Sequence, residues 1–279
     1  MKNILLPTDF SENSWNAILY AISFFKKNQC NFYLLHISPF EGVTNGISLQ
    51  SASSFFSDEE QESVAAKFEN LLKKCEKLPL NPKHTFFTVH EYVFFVDSIR
   101  KQVAEKKIDF MVMGTKGATG LKEKTIGSKT GDVITKVKCP VLVIPEKATY
   151  VKPKEIAFPT DYNIFYKSRV LNTLTNILEM NCGALRIVHI AKSEKELTKL
   201  QKKNKDFLNN YLGEEITHSF HFLSNPNIEE AVQCFVESRD ISLITMIAKN
   251  LNFFQRILFH PTIEKISYHI TIPFLVLHE

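Results

Sequence analysis

Strong charge of one sign is missing from this 279-residue chain: 34 lysines and arginines face 30 acidic residues, and neither half is markedly basic. Binders of nucleic acid or of a membrane surface concentrate cations on one face, so neither class is supported. Long apolar runs are missing too. Lys2 is followed by only Ile4-Leu5-Leu6 before Pro7 and Asp9 interrupt. That is too short for a secretory core or a membrane span, and the chain is expected to stay in the cytoplasm. The five cysteines (Cys30, Cys75, Cys139, Cys182 and Cys234) are odd in number, lie far apart and form no Cys-x-x-Cys pair, so they read as reduced core thiols. Glycine and proline are scarce, at 9 and 11 residues, while 44% of positions are hydrophobic. A folded chain is expected rather than a disordered one, and the length suffices for two cores of ordinary domain size.

What is present is written twice. Ile4-Leu5-Leu6-Pro7-Thr8-Asp9-Phe10 is echoed by Ile156-Ala157-Phe158-Pro159-Thr160-Asp161-Tyr162. Leu34-Leu35-His36-Ile37 returns as Ile187-Val188-His189-Ile190, and Cys139-Pro140-Val141-Leu142-Val143-Ile144 as Ile272-Pro273-Phe274-Leu275-Val276-Leu277. A duplicated domain explains the recurrence in order. The boundary falls near Glu146 to Pro153, giving domains 1–147 and 153–279.

In the first copy, short apolar runs alternate with helical patterns, the signature of βα units feeding a parallel sheet. Strands are expected near 3–7, 31–37, 84–90, 109–113 and 140–144. Helices are expected through Trp15, Ile18, Leu19 and Ile22 after the capping-type Ser11, and through Val64, Phe68, Leu71, Leu72 and Cys75. A third follows Val96, Ile99 and Val103, and a fourth begins near Ser128 with Val133, Ile134 and Val137. Pro39 to Ser57 reads as a long loop, either a lid or a tolerated insertion. Lys192 to Lys205 in the second copy reads as a solvated helix face.

One segment carries chemistry. Met113-Gly114-Thr115-Lys116-Gly117 through Ile126-Gly127-Ser128 follows a strand and opens a helix. Its glycines remove Cβ atoms where backbone amides must approach a ligand, and Gly127-Ser128 places unpaired N–H groups at a helix start that favours an anion. Lys116, Lys122, Lys124 and Lys129 surround the stretch, with Glu123 the only acid. A phosphate chain is the expected ligand. There is no Gly-x-Gly-x-x-Gly, and Gly127-Ser128-Lys129-Thr130 lacks the glycine immediately before the lysine that a Walker A loop requires.

The spacing G-x2-G-x9-G-[ST], together with the repeated hydrophobic-Pro-Thr-Asp opening, resembles the ATP-binding signature of the universal stress protein family. The resemblance implies an α/β fold of two tandem repeats, each a five-stranded, mainly parallel sheet in the order 3-2-1-4-5 flanked by helices. It places Asp9 and Gly114 at strand ends flanking a topological switch point, where such sheets bind ligands. It implies that Asp9 and the backbone near Ile37 and Met113 hold adenosine, while Gly114, Gly117, Gly127 and Ser128 hold ribose and phosphates. The alternative for Asp9 is a helix N-cap. Because family members commonly pair through the last strand, Val141-Leu142-Val143 and Leu275-Val276-Leu277 suggest pairing of the two halves within one chain; a homodimer stays open.

Aligning the final strands sets Ile247, Asn250, His260 and Pro261 opposite Gly114, Gly117, Gly127 and Ser128, so the second copy has lost the cradle although Asp161 persists. His36 and His189 read as packed strand-end residues. His218 and His221, three apart in a strand, point to opposite faces and make a poor metal pair. No nucleophile with a base and an orienting partner stands at diagnostic spacing. The function expected is a cytoplasmic, ATP-binding stress-response or regulatory protein with nucleotide in the N-terminal domain only. Mg²⁺ is expected from triphosphate charge alone. Two alternatives are a slow ATPase or autophosphorylating enzyme, and a module whose second half takes a hydrophobic ligand or a protein surface.

Overall fold

The computed structural model describes residues 1–38, 58–79, 81–115, 127–191, 196–225, 227–249 and 272–278. The expected loop from Pro39 to Ser57 lies outside them. Among the described residues the chain forms two compact units, one running to Glu146 and the other starting at Lys147.

Unit one alternates strand and helix: β1 (Lys2–Pro7), α1 (Glu12–Phe24), β2 (Cys30–Ile37), α2 (Asp58–Glu76), β3 (His84–Glu91), α3 (Phe95–Glu105), β4 (Phe110–Gly114), α4 (Ser128–Lys136) and β5 (Val141–Ile144). All pairings are parallel, in the order β3-β2-β1-β4-β5. Central strands covered on both faces must be apolar throughout. Accordingly Ile4, Leu5 and Leu6 are fully buried, and every residue of β4 and β5 is buried. Each such side chain contributes about 1.5–3 kcal/mol through burial. Helix α1 lays Ile18, Ala21 and Phe24 into the core, while Trp15 and Leu19 from the same predicted stripe are only half-buried.

Unit two repeats the plan: β6 (Glu155–Thr160), α5 (Ser168–Asn181), β7 (Ala184–Ala191), α6 (Lys199–Leu212), β8 (His218–Ser224), α7 (Ile228–Ser238), β9 (Leu243–Ile247) and β10 (Phe274–Leu277). Its parallel order is β8-β7-β6-β9-β10. The two units correspond at the level of register. Ile4 pairs with Phe110 as Ile156 does with Leu243, and Gly114 pairs with Ile144 as Ile247 does with Leu277. Ile247 therefore occupies the strand position that Gly114 holds in unit one.

Two expectations need correction. All five cysteines are free, but only Cys30, Cys75 and Cys139 are buried; Cys182 and Cys234 are exposed. Burial pushes the Cys30 and Cys75 thiols up to about 11. Cys182 instead ends α5 in the left-handed conformation, φ 50°, with its N–H spent on the closing helix carbonyls, a position that turns its side chain outward. Of the solvated helix face predicted for Lys192 to Lys205, residues 192–195 lie outside the described residues, helix begins only at Lys199, and the face is solvated only in part. Lys202 and Lys203 are exposed, yet Asn204 is 4% exposed and bonded inward, because a helix lying on a sheet must turn one stripe toward it.

Candidate functional site

The predicted site residues come off the carboxyl edge of unit one. Here β1 leads away to β2 on one side and β4 to β5 on the other, so the strand order reverses between β1 and β4, a topological switch point of the kind at which such sheets bind ligands.

On the β1 side the chain turns at once. The Thr8 hydroxyl accepts the Phe10 N–H at 3.0 Å and shares a bond with the Ser14 hydroxyl, also at 3.0 Å. Asp9 Oδ1 accepts from the Ser11 amide at 3.1 Å and from the Ser11 hydroxyl at 2.5 Å. Ser11 in turn caps α1, its oxygen accepting the Ser14 N–H at 3.2 Å. The cap is thus Ser11, and Asp9 orients it. Phe10 sits at φ 63°, a conformation unfavourable for an aromatic residue. It is held there by the Thr8 bond and by ring contacts with His36 at 4.6 Å and Phe68 at 5.2 Å. His36 donates its Nδ1–H to the Thr8 carbonyl at 2.9 Å. Burial first, then Lys67 and Lys129, hold its pKa below the ordinary 6.5 against the opposing pull of the Thr8 carbonyl and Asp9. His36 is a neutral strut.

On the β4 side, Gly114 is required by close approach. A Cβ there would stand 2.8 Å from Asn13 Nδ2 and 2.9 Å from Asn13 Cγ and Oδ1. The Gly114 carbonyl accepts the Thr130 hydroxyl at 2.9 Å inside the protein. The Gly127 N–H reaches the Thr115 carbonyl at 2.6 Å, so the two ends of segment 116–126 meet and α4 starts beside the end of β4. Gly127 is the N-cap of α4, and no side chain bonds to that cap among the described residues. The first-turn N–H groups therefore carry the helix's positive end beside the end of β4. Lys129, on the same turn, lies over the Phe95 ring at 5.2 Å.

Of the predicted residues, Ile37 closes β2, Met113 and Gly114 close β4, Asp9 follows β1, and Gly127 with exposed Ser128 opens α4. Gly117 lies outside the described residues. Asn13 and Thr130 were missed by the sequence reading. The signal for Thr130 was the Gly-Ser-Lys-Thr run: it fails as a Walker A loop, but its threonine is a buried anchor.

Unit two keeps the frame and changes the filling. Thr160 Oγ1 accepts the Tyr162 N–H at 3.1 Å, His189 donates Nδ1–H to the Thr160 carbonyl at 3.0 Å, and Tyr162, at φ 57°, stacks on His189 at 5.0 Å. Tyr166 stands where Ser14 does, its hydroxyl bonded to Thr160 Oγ1 at 2.7 Å. Helix α5 begins only after residues 161–167, whereas α1 follows residues 8–11. Helix α6 clamps that longer turn through Gln201 Nε2 to the Asp161 carbonyl at 2.9 Å and Asn204 Nδ2 to the Tyr162 carbonyl at 2.8 Å. The Asp161 carboxylate accepts from the Asn163 amide and side chain, both at 3.0 Å. Asn250, His260 and Pro261 lie outside the described residues. His218 and His221 of β8 bond to Ile216 O with Asn209 and to Ser219 respectively, and among the described residues no group of three or more His, Cys, Asp or Glu side chains could hold a metal ion.

Strand order, parallel pairing and the switch point between β1 and β4 define a doubly wound α/β protein built from two units of one plan. The profile described as the universal stress protein family matches residues 1–145. The chain belongs to the universal stress protein family. It is 32% identical over 146 residues to Universal stress protein MJ0531 of Methanocaldococcus jannaschii, a match covering 51% of this chain and 81% of that protein. It is 29% identical over 159 residues to Universal stress protein MJ0577 of the same organism, covering 52% and 96%. Over 99% of its length it shares the fold of a universal stress protein from Archaeoglobus fulgidus, with a TM-score of 0.69, 19% identity and 98% of that chain covered. Among the described residues no helix is long and apolar enough to cross a membrane.

Proposed function

We propose that this protein is a cytoplasmic, ATP-binding regulatory or stress-response protein with one nucleotide site per chain, in unit one. The observation that carries the reading is the start of α4. It is free of a side-chain cap among the described residues, is drawn to the end of β4 by the Gly127–Thr115 bond, and stands beside a glycine with no room for a Cβ. In this reading Asp9 and the backbone near Ile37 and Met113 receive adenosine. Gly114, Gly117, Gly127 and Ser128 receive ribose and phosphates. Mg²⁺ accompanies the triphosphate through phosphate oxygens and water.

Unit two serves as the structural partner of unit one. Ile247 stands at the strand position that Gly114 holds in unit one, and the α6 clamp engages the turn beside Asp161. The experiment is mass spectrometry of small molecules retained by the full chain after native purification. An adenine nucleotide near one per chain supports the reading, and a lipid-like species without nucleotide overturns it.

A further inference from the structure

The contact between Asn13 and Gly114 joins two elements far apart in sequence at the point where the loop leaves β4. Asn13 lies in the first turn of α1, immediately after the Asp9–Ser11 turn, and its carboxamide occupies the volume that a Gly114 Cβ would need. Thr130 and Ile144 bind the carbonyl of Gly114 and the amide of Thr115, so the backbone there is held on three sides. The chain contains its own comparison. In unit two the strand position of Gly114 is Ile247, and the residue matching Asn13, counted from the shared Thr-Asp motif, is Phe165, which lies outside α5 and is 58% exposed. The small residue and the carboxamide are replaced together.

We infer that Asn13 is a positioning residue of the nucleotide site: its carboxamide fixes how closely the Gly114 backbone approaches the Asp9 turn, and phosphate binding depends on Asn13 and Gly114 as a matched pair. This rests on the ATP-binding reading of the same site. A Cβ at 114 must displace Asn13 and with it the start of the loop. Removing the carboxamide frees the space but also releases the loop from its stop. Adenosine, which carries no phosphates, depends less on either change.

The test is a double-mutant cycle on the full chain, with ATP and adenosine titrated calorimetrically into the unaltered protein, Gly114→Ala, Asn13→Ala and the double variant. Alanine deletes Cγ, Oδ1 and Nδ2, the three atoms that crowd position 114, and is well tolerated in a helix. Overpacking of this kind should weaken ATP binding by Gly114→Ala about tenfold or more. In the Asn13→Ala background the same change should cost less than about threefold, the signature of direct coupling. Asn13→Asp, nearly isosteric, should lower ATP affinity more than adenosine affinity by adding negative charge beside the phosphate path. Independent, multiplying effects of Gly114→Ala and Asn13→Ala, or equal losses of ATP and adenosine affinity in every variant, would overturn the inference while leaving the ATP site standing. Absence of ATP binding by the unaltered chain would instead refute the underlying reading.

Discussion

Thr130→Val probes the link between fold and site with little change in shape. The Thr130 side chain is buried, 3% exposed, and its hydroxyl donates to the Gly114 carbonyl at 2.9 Å, tying α4 to the end of β4. Valine keeps the branched volume and removes the donor. Losing a buried hydrogen bond costs about 0.5–1.5 kcal/mol, and leaving its acceptor without a partner raises this to about 1–3 kcal/mol. For a unit of this size the expected fall in melting temperature is about 3 °C per kcal/mol, read by calorimetry or circular dichroism. ATP affinity should fall with it, because the α4 amides then lose their register against Gly114. Thr130→Ser, which restores the donor, should recover most of both. Unchanged stability and unchanged ATP affinity in Thr130→Val would refute the argument that this bond holds the helix start in place.

Stability should decline as pH falls through 6.5. His36, His90 and His189 have pKa values held below 6.5, first by burial in each case, so the unfolded chain binds more protons in that window; their contribution is full above 6.5 and is lost below it. Melting curves from pH 8 to 5 check this, and a melting temperature that rises on acidification contradicts it. Purified protein should hydrolyse ATP no faster than roughly one turnover per minute, against a usual enzyme median of about ten per second. Turnover above about one per second that co-purifies with the chain and disappears in Ser128→Ala would make it an enzyme.

The shared plan of the two units was legible because backbone demands recur in the letters. Thr8-Asp9 and Thr160-Asp161 each stand where a strand ends, and the residue after them, Phe10 or Tyr162, takes a positive φ braced by the threonine hydroxyl. The offset that set Ile247 against Gly114 is the register of the strands themselves. The Ser11 cap was legible for a local reason, since a cap acts within three residues. Asn13 and Thr130 were hidden because their partner, Gly114, is supplied by topology, from a strand that only the sheet order brings alongside α1 and α4. Tyr166 was hidden by size. It differs from Ser14 in everything except the hydroxyl that reaches its threonine, and a longer turn makes room for the ring.

The central claim, one phosphate-binding site in unit one, is tested most directly by titrating ATP calorimetrically into the full chain and into Gly117→Asp, which adds bulk and negative charge where the phosphates are proposed to lie. The account predicts one site per unaltered chain and no residual triphosphate binding in the variant. Two equivalent sites in the unaltered chain, or undiminished binding in Gly117→Asp, would contradict it.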